Sequence, residues 1–157
     1  MEGKKSSEST ATMLKIMRPQ DANPAGNVQG GVIMLLVDEA GAIVAYRHAR
    51  TNIVTASLDR IDFLHPVFIG DLVSFRATLN LVGASSMEVE VCVDSEKPLT
   101  GLVERTALAY LTYVALDDKG RPTRVPPLVL DTEEGKRRNL EAQARRHTRL
   151  RGRATKC

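Results

Sequence analysis

The chain contains no tryptophan, and its aromatic side chains are three tyrosines and three phenylalanines. A core for these 157 residues must therefore be built from Leu, Val, Ile, Ala and Met, and the length suits one domain. Cysteine is almost as scarce: Cys92 and Cys157 are the only two. Neither has metal-ligand spacing and together they form no disulfide framework, so we expect no metal and no stabilising disulfide.

A long hydrophobic run is also missing. The longest apolar stretch, residues 32–46, is interrupted by Asp38 and Glu39 and is too short to span a bilayer. No apolar segment follows Lys4 and Lys5, so the N-terminus does not resemble a secretory signal. These absences favour a cytoplasmic protein that does not enter membranes.

The formal net charge of +3 conceals two regions of opposite sign. Residues 136–156 contain nine Lys or Arg and one Glu, which leaves the rest of the chain with thirteen basic and eighteen acidic residues. This basic segment has no aromatic residue besides His147, so it lacks the stacking groups typical of nucleic-acid binding. We expect a solvated helix that packs on the acidic body, and no nucleic-acid partner.

Periodicity predicts an α+β chain. Residues 1–10 look disordered, residues 11–130 form the domain, and residues 131–157 form a basic C-terminal helix or tail. Apolar spacing predicts a helix over residues 31–47. Alternation of apolar and polar residues predicts five strands, at residues 11–18, 52–63, 71–82, 86–95 and 102–116. The short connections between the last four indicate that these strands are antiparallel. One face of such a sheet needs covering, and the helix, apolar nearly all round, is available to cover it.

Residues 27–44 carry the strongest functional signal. Asn27 precedes a glycine pair, Gly30 and Gly31, which opens the apolar helix, and Asp38 follows two turns later. Free N–H groups at a helix start attract developing negative charge, and a carboxylate can activate water. This grouping suits hydrolysis of an activated acyl group. By themselves, the glycines could equally be a plain loop–helix junction, Asn27 a turn residue, and Asp38 an acid at a helix–sheet seam.

Three ordered motifs resemble those of the hotdog-fold acyl-CoA thioesterases, specifically the cytosolic, brain-type hydrolases and their bacterial single-domain relatives. The first comprises residues 18–23, 26–31 and 38–41, the second residues 62–66 and 69–71, and the third residues 85–89. The similarity extends over residues 13–129 and includes Val125-Pro126-Pro127. It implies a five-stranded antiparallel sheet wrapped around one long central helix, plus the charged C-terminal helix.

The resemblance also implies roles for single residues. Asp38 would be general base or nucleophile, Asn27 would position water or the carbonyl, and the Gly31 N–H would stabilise the oxyanion. The acyl-CoA substrate would bind along Gly30, Thr55, Ala56, Ser57, Ser86 and Met87, with no cofactor other than the CoA of the substrate. Close relatives often have His in place of Gln29 and a basic residue in the turn before Ser86, where this chain has Ala84 and Ser85. A phosphate contact expected in that turn is therefore missing or comes from elsewhere. The basic C-terminal segment would either pack on the acidic body or lie near the CoA phosphates.

An assembly is implied as well: a dimer with a continuous sheet, and three such dimers in a hexamer. The alternative function is a non-catalytic acyl-CoA sensor on the same fold. A dehydratase ranks last, because it would need a His base and none occurs in residues 27–38.

Overall fold

A five-stranded antiparallel sheet packs around one long helix in the computed structural model, which describes residues 1–153. Cys157 lies outside the described residues. Two turns of 3₁₀ helix, Ser6–Glu8 and Pro19–Asp21, flank the first long strand. In chain order the other elements are β1 Lys4–Lys5, β2 Thr10–Ile16, α1 Gly30–Ala49, β3 Asn52–Phe63, β4 Leu72–Val82, β5 Ser86–Glu96, β6 Val103–Leu116, β7 Leu128–Val129 and α2 Glu133–Gly152.

The strand order in the sheet is β2-β4-β5-β6-β3. All four pairings are antiparallel, as predicted, and the bounds of the long strands and of α1 differ from the predicted ones by at most two residues. Strands β2 and β3 form the two edges, so each has one side without a strand partner among residues 1–153. The α+β hotdog architecture expected from the motifs is confirmed.

The core lies between α1 and the inner face of the sheet, and α1 contacts all five long strands. Alternation along β4, β5 and β6 directs one set of side chains towards the helix. This set is mainly aliphatic, and Phe75 and Tyr113 are the only fully buried aromatic side chains in the described part of the chain. Scarcity of aromatic residues thus predicts the nature of the core correctly.

Helix α2 packs on the outer face of the sheet. Thr132 caps its first turn by accepting a hydrogen bond from Gly135 N at 3.0 Å. On the sheet side, Asn139 Nδ2 donates to the Asn80 carbonyl at 2.8 Å, and Arg145 pairs with the buried Glu88 at 2.7 Å. The basic segment therefore forms a helix on an acidic surface, as its charge distribution predicts.

The first ten residues are ordered, in contrast to the disordered segment that their composition suggests. Strand β1 pairs in parallel with β7. Lys4 Nζ donates to the carbonyls of Arg47 and His48 at 3.0 and 2.7 Å, at the C-terminal end of α1. Unsatisfied carbonyls at a helix end attract a cation, and that long-range contact cannot be recognised from local polarity.

Residues 1–153 contain neither a membrane-spanning helix nor a cluster of metal-ligating side chains. No helix there combines the length and apolar content needed to cross a membrane. No group of three or more His, Cys, Asp or Glu side chains in this part of the chain is placed to hold a metal ion.

Candidate active site

Hydrogen bonds between residues of the loop before α1 fix the conformation of that loop. The Asp21 carbonyl accepts a hydrogen bond from Gln29 N at 2.8 Å. Asn23 Oδ1 accepts from Ala25 N at 3.0 Å and from Asn27 N at 3.1 Å. The Nδ2 group of Asn23 and the whole side chain of Asn27 have no hydrogen-bond partner within residues 1–153. Both amides can therefore donate to a ligand.

Helix α1 begins at the glycine pair. The N–H groups of Gly30 and Gly31 have no acceptor within the described residues, as expected for the first turn of a helix. A Cβ at Gly31 would meet no atom within 4 Å, whereas one at Gly30 would lie 3.5 Å from the Phe63 ring. The backbone at Gly31 is thus open to an approaching oxyanion.

Asp38 lies on the flank of α1 that faces β3, and its side chain is half-buried. Its Oδ1 accepts hydrogen bonds from Thr55 Oγ1 at 2.8 Å and from the Tyr113 hydroxyl at 3.0 Å. Its Oδ2 has no partner in the described part of the chain. The structure therefore brings two of the predicted residues, Asp38 and Thr55, into direct contact and leaves one carboxylate oxygen free.

Tyr113 was not among the predicted site residues. Its side chain is fully buried, and its hydroxyl also lies 2.9 Å from the Asp38 carbonyl. Burial and the adjacent Asp38 carboxylate raise the pKa of Tyr113 far above the ordinary value of 10.0, so the hydroxyl remains a donor. One signal could have revealed it: Tyr113 is the polar member of an otherwise apolar series on β6, formed by Ala107, Ala109, Leu111 and Ala115.

Gly41 provides the space for that hydroxyl. A Cβ at Gly41 would lie 2.3 Å from the Tyr113 oxygen and 3.1 Å from two ring carbons. The contact with the oxygen is far below the sum of van der Waals radii, and those with the ring carbons are a few tenths of an ångström too short, so alanine at this position would displace the Tyr113 side chain.

Thr55, Ala56 and Ser57 lie on the edge strand β3. The register with β6 shifts between Thr55 and Ser57, so Ala56 is the extra residue of a β-bulge. Ser57 Oγ donates to Asp59 Oδ1 at 2.7 Å. Because the outer edge of β3 is free in the single chain, an extended ligand or a second strand can pair with it.

Ser86 and Met87, both predicted to bind the substrate, differ in position. Met87 belongs to the core and is 0% exposed, so the predicted contact between Met87 and the substrate disagrees with the structure. It occupies an inward-facing position on β5, directly across from Tyr113. Ser86 lies at the start of β5 beside the turn at Gly83, and the guanidinium of Arg146 lies 3.2 Å from where a Gly83 Cβ would be. Helix α2 therefore places a cation at the turn that lacks its own basic residue.

The second motif ends in a buried carboxylate. Asp71 accepts hydrogen bonds from Phe68 N at 3.0 Å, Ser95 Oγ at 2.7 Å and Lys97 Nζ at 2.8 Å. These bonds join the loop before β4 to the end of β5. A groove of about 320 Å³ between this loop and the start of α1 is lined by residues that include Gly30, Ile33 and Phe63.

Sequence comparison places the chain among known enzymes. A profile of the thioesterase superfamily matches residues 25–102. An acyl-CoA thioester hydrolase of Bacillus subtilis is 44% identical over 116 residues, which cover 74% of this chain and 67% of the relative. The cytosolic acyl coenzyme A thioester hydrolase of Rattus norvegicus is 39% identical over 141 residues. That match covers 88% of this chain, but the chain spans only 37% of the length of the rat protein.

Structural comparison agrees with this placement. The acyl-CoA hydrolase of Staphylococcus aureus, solved with butyryl coenzyme A and coenzyme A, superimposes with a TM-score of 0.89 at 37% identity over 96% of this chain and 92% of the other. An apo-hexameric acyl-CoA thioesterase gives a TM-score of 0.94 at 34% identity over 99% and 100%.

Three variants of the Staphylococcus aureus enzyme, each with one residue replaced by alanine, also match. The replaced asparagine lies fifteen residues before the replaced aspartate, and the replaced threonine seventeen residues after it. With the identities and the fold in agreement, the chain belongs to the thioesterase superfamily, among the acyl-CoA thioester hydrolases.

Proposed function

We propose that the chain hydrolyses fatty acyl-CoA to free fatty acid and CoA. The observation that carries the proposal is the Asp38 carboxylate, oriented by two donors on Oδ1, with Oδ2 free, on a helix whose glycine start offers unpaired N–H groups. The names of the relatives, and the acyl-CoA bound to the Staphylococcus aureus enzyme, support the same substrate class.

Hydrolysis of a thioester makes two demands on the protein. Water must be activated or replaced by a protein nucleophile, and negative charge on the carbonyl oxygen must be stabilised. Asp38 would serve the first as general base or as direct nucleophile. The Gly31 N–H, aided by the helix dipole, would serve the second, a contact that can lower a barrier by roughly 3 kcal/mol. The leaving group departs as a thiolate, so a strong general acid is unnecessary.

An amide side chain would position the water or the carbonyl. The sequence motif suggested Asn27, which lies eleven residues before Asp38. Asn23 lies fifteen residues before Asp38, and Thr55 seventeen residues after it, which matches the spacing of the three residues replaced in the Staphylococcus aureus variants. This spacing favours Asn23 for the role.

The CoA portion would extend along the edge of the sheet. Thr55 contacts Asp38 directly, Ala56 and Ser57 follow it on β3, and Gly30 lines the groove beside Phe63. The unpaired edge of β3 can hydrogen-bond an extended pantetheine. Arg146, at the turn beside Ser86, is the residue of this chain best placed to supply the phosphate contact that the turn itself lacks.

We further propose a dimer through β3, with three dimers in a hexamer. The edge strand exposes Val54 and Leu58, and the neighbouring flank of α1 exposes Met34 and Leu35. A long apolar edge of this kind favours pairing with a second copy, which would place the partner's loop against Asp38. The hexameric relative supports this assembly. The name of the rat relative supports a cytosolic location.

A thiol-release assay on purified protein, with acyl-CoAs from acetyl to palmitoyl, tests the proposal. Asp38→Asn is nearly isosteric, so we expect kcat to fall by about 10²–10⁴-fold while CoA binding changes little. The neighbouring Glu39→Gln is the matched control, since Glu39 is exposed and lies outside the site, and it should retain wild-type turnover.

Two results would contradict this scheme. Full activity in Asp38→Asn would remove the mechanism. A wild-type protein that binds acyl-CoA without releasing thiol would favour the sensor alternative, because a sensor has no need of an acid beside the thioester.

A further inference from the structure

We propose that Tyr113 is a positioning residue that holds the Asp38 carboxylate so that Oδ2 is the oxygen that reacts. This inference rests on the proposed hydrolase function and assigns a role to a side chain buried behind the site. It also predicts which of the two carboxylate oxygens faces the substrate.

Two hydroxyl groups donate to the same oxygen of the Asp38 carboxylate. Thr55 Oγ1 and the Tyr113 hydroxyl both donate to Oδ1, from opposite elements of the site, the edge strand β3 and the inner strand β6. The terminal torsion of an aspartate is broad when unrestrained. Two donors on one oxygen restrain it, and they leave Oδ2 with its full capacity to accept a proton or attack a carbonyl.

The single proton of the Tyr113 hydroxyl has two acceptors within hydrogen-bond distance. The Tyr113 hydroxyl lies 2.9 Å from the Asp38 carbonyl and 3.0 Å from Oδ1. An ionised Oδ1 attracts the proton more strongly, and a protonated Asp38 lets the hydroxyl turn to the carbonyl. A buried hydroxyl without an acceptor is costly. The double arrangement keeps Tyr113 hydrogen-bonded in both states of Asp38, so proton exchange at Asp38 leaves no buried group unsatisfied.

Gly41 makes room for the Tyr113 hydroxyl. Glycine inside a helix costs about 1 kcal/mol relative to alanine. Gly41 is buried, and the atom nearest to its missing Cβ is the Tyr113 oxygen at 2.3 Å, with two ring carbons at 3.1 Å. The closest approach is to the hydroxyl and not to the ring, so the glycine chiefly accommodates the group that contacts Asp38.

The test is Tyr113→Phe, with Tyr110→Phe as the matched control. Tyr110 lies on the same strand but on the outer face, where its ring contacts Arg145 and does not approach Asp38. In Tyr113→Phe we expect kcat to fall about tenfold with KM within twofold, as for loss of a hydrogen bond to a charged group. The acid limb of the kcat/KM profile should move to higher pH, because the ionised carboxylate has lost a donor. Tyr110→Phe should leave both the rate and the pH profile unchanged.

A second pair of measurements protects the test against a folding defect. Replacing the tyrosines by 3-fluorotyrosine makes the phenol a stronger donor with little change in shape, so the acid limb should move to lower pH. Gly41→Ala should lower kcat by displacing the hydroxyl, and adding Tyr113→Phe should cost little more, since both changes remove the same contact.

The outcomes separate the two proposals. An inactive wild type would refute the hydrolase function itself. An active wild type with an unchanged Tyr113→Phe profile would overturn the positioning role. The positioning role would also be overturned if the rate of Tyr113→Phe fell by the same factor at every pH and the melting temperature fell with it.

Discussion

At the scale of single residues, the loop before α1 offers two asparagines, Asn23 and Asn27, as the amide that positions the water or the carbonyl. Asn23 Oδ1 already accepts two backbone N–H groups, so replacing Asn23 by alanine would also loosen the loop. Asn23→Asp keeps that acceptor and replaces the NH₂ donor by a negatively charged oxygen that cannot donate. We expect it to lower kcat by about 10²-fold, as for loss of a donor to the developing oxyanion, with an unchanged melting temperature.

Asn27→Asp provides the matched comparison, because it makes the same chemical change four residues further along the loop. Its kcat should remain within about threefold of wild type, the range left when no transition-state contact is lost. A reversed result, with Asn27→Asp inactive and Asn23→Asp active, would support the asparagine suggested by the sequence motif.

At the scale of structural elements, the Asp71 side chain ties the loop before β4 to the end of β5. Burial works against its ionisation, but hydrogen bonds from Lys97, Ser95 and the Phe68 N–H outweigh it and hold the pKa of Asp71 below its ordinary 3.8. A carboxyl group whose pKa is lowered on folding stabilises the protein above its unfolded pKa. That stabilisation is lost as the pH falls through the folded value.

Asp71→Asn should therefore lower the free energy of unfolding at pH 7 by about 2 kcal/mol, less than for a fully buried pair because Lys97 remains partly exposed. The difference from wild type should shrink at pH values below 3.8. Urea denaturation at pH 7 and pH 3 measures both effects. Asp62→Asn is the control, since its pair with Arg60 is exposed and should contribute little at either pH. An equal effect of the two variants would contradict this account of Asp71.

The whole-molecule prediction concerns a site shared between subunits. If the asparagine and Gly31 of one chain face Asp38 of its partner, an Asp38→Asn chain and an Asn23→Asp chain complement each other. A mixed dimer holds one intact site and one doubly altered site. After subunit exchange, about a quarter of wild-type activity should return, because half of the dimers are mixed and each has one working site.

Light scattering and native mass spectrometry would confirm the assembly and the exchange. No recovery despite proven exchange would mean that each site lies within one chain. A fully active monomer would contradict the dimer through β3.

Local patterns in the sequence were enough to predict the secondary structure and the fold class. Alternation located the long strands, helical spacing located α1, and the charge distribution predicted that α2 packs on an acidic surface. These features depend on which face of each element is apolar, and periodicity records that directly. The motif around Gly30, Gly31 and Asp38 also led to the correct family.

Only the tertiary structure decided what surrounds Asp38. Tyr113 is seventy-five residues away in the chain, and its contact with Asp38 exists because β6 crosses beneath α1 with Gly41 leaving room for the hydroxyl. Met87 is a different case: alternation along β5 puts it on the apolar face with Val89, and the substrate contact expected of it came from the family resemblance alone. The order of residues 1–10 likewise depends on Lys4 reaching the distant end of α1. The contacts of Tyr113 and Lys4 depend on how elements far apart in sequence pack against each other, and local sequence patterns do not record that packing.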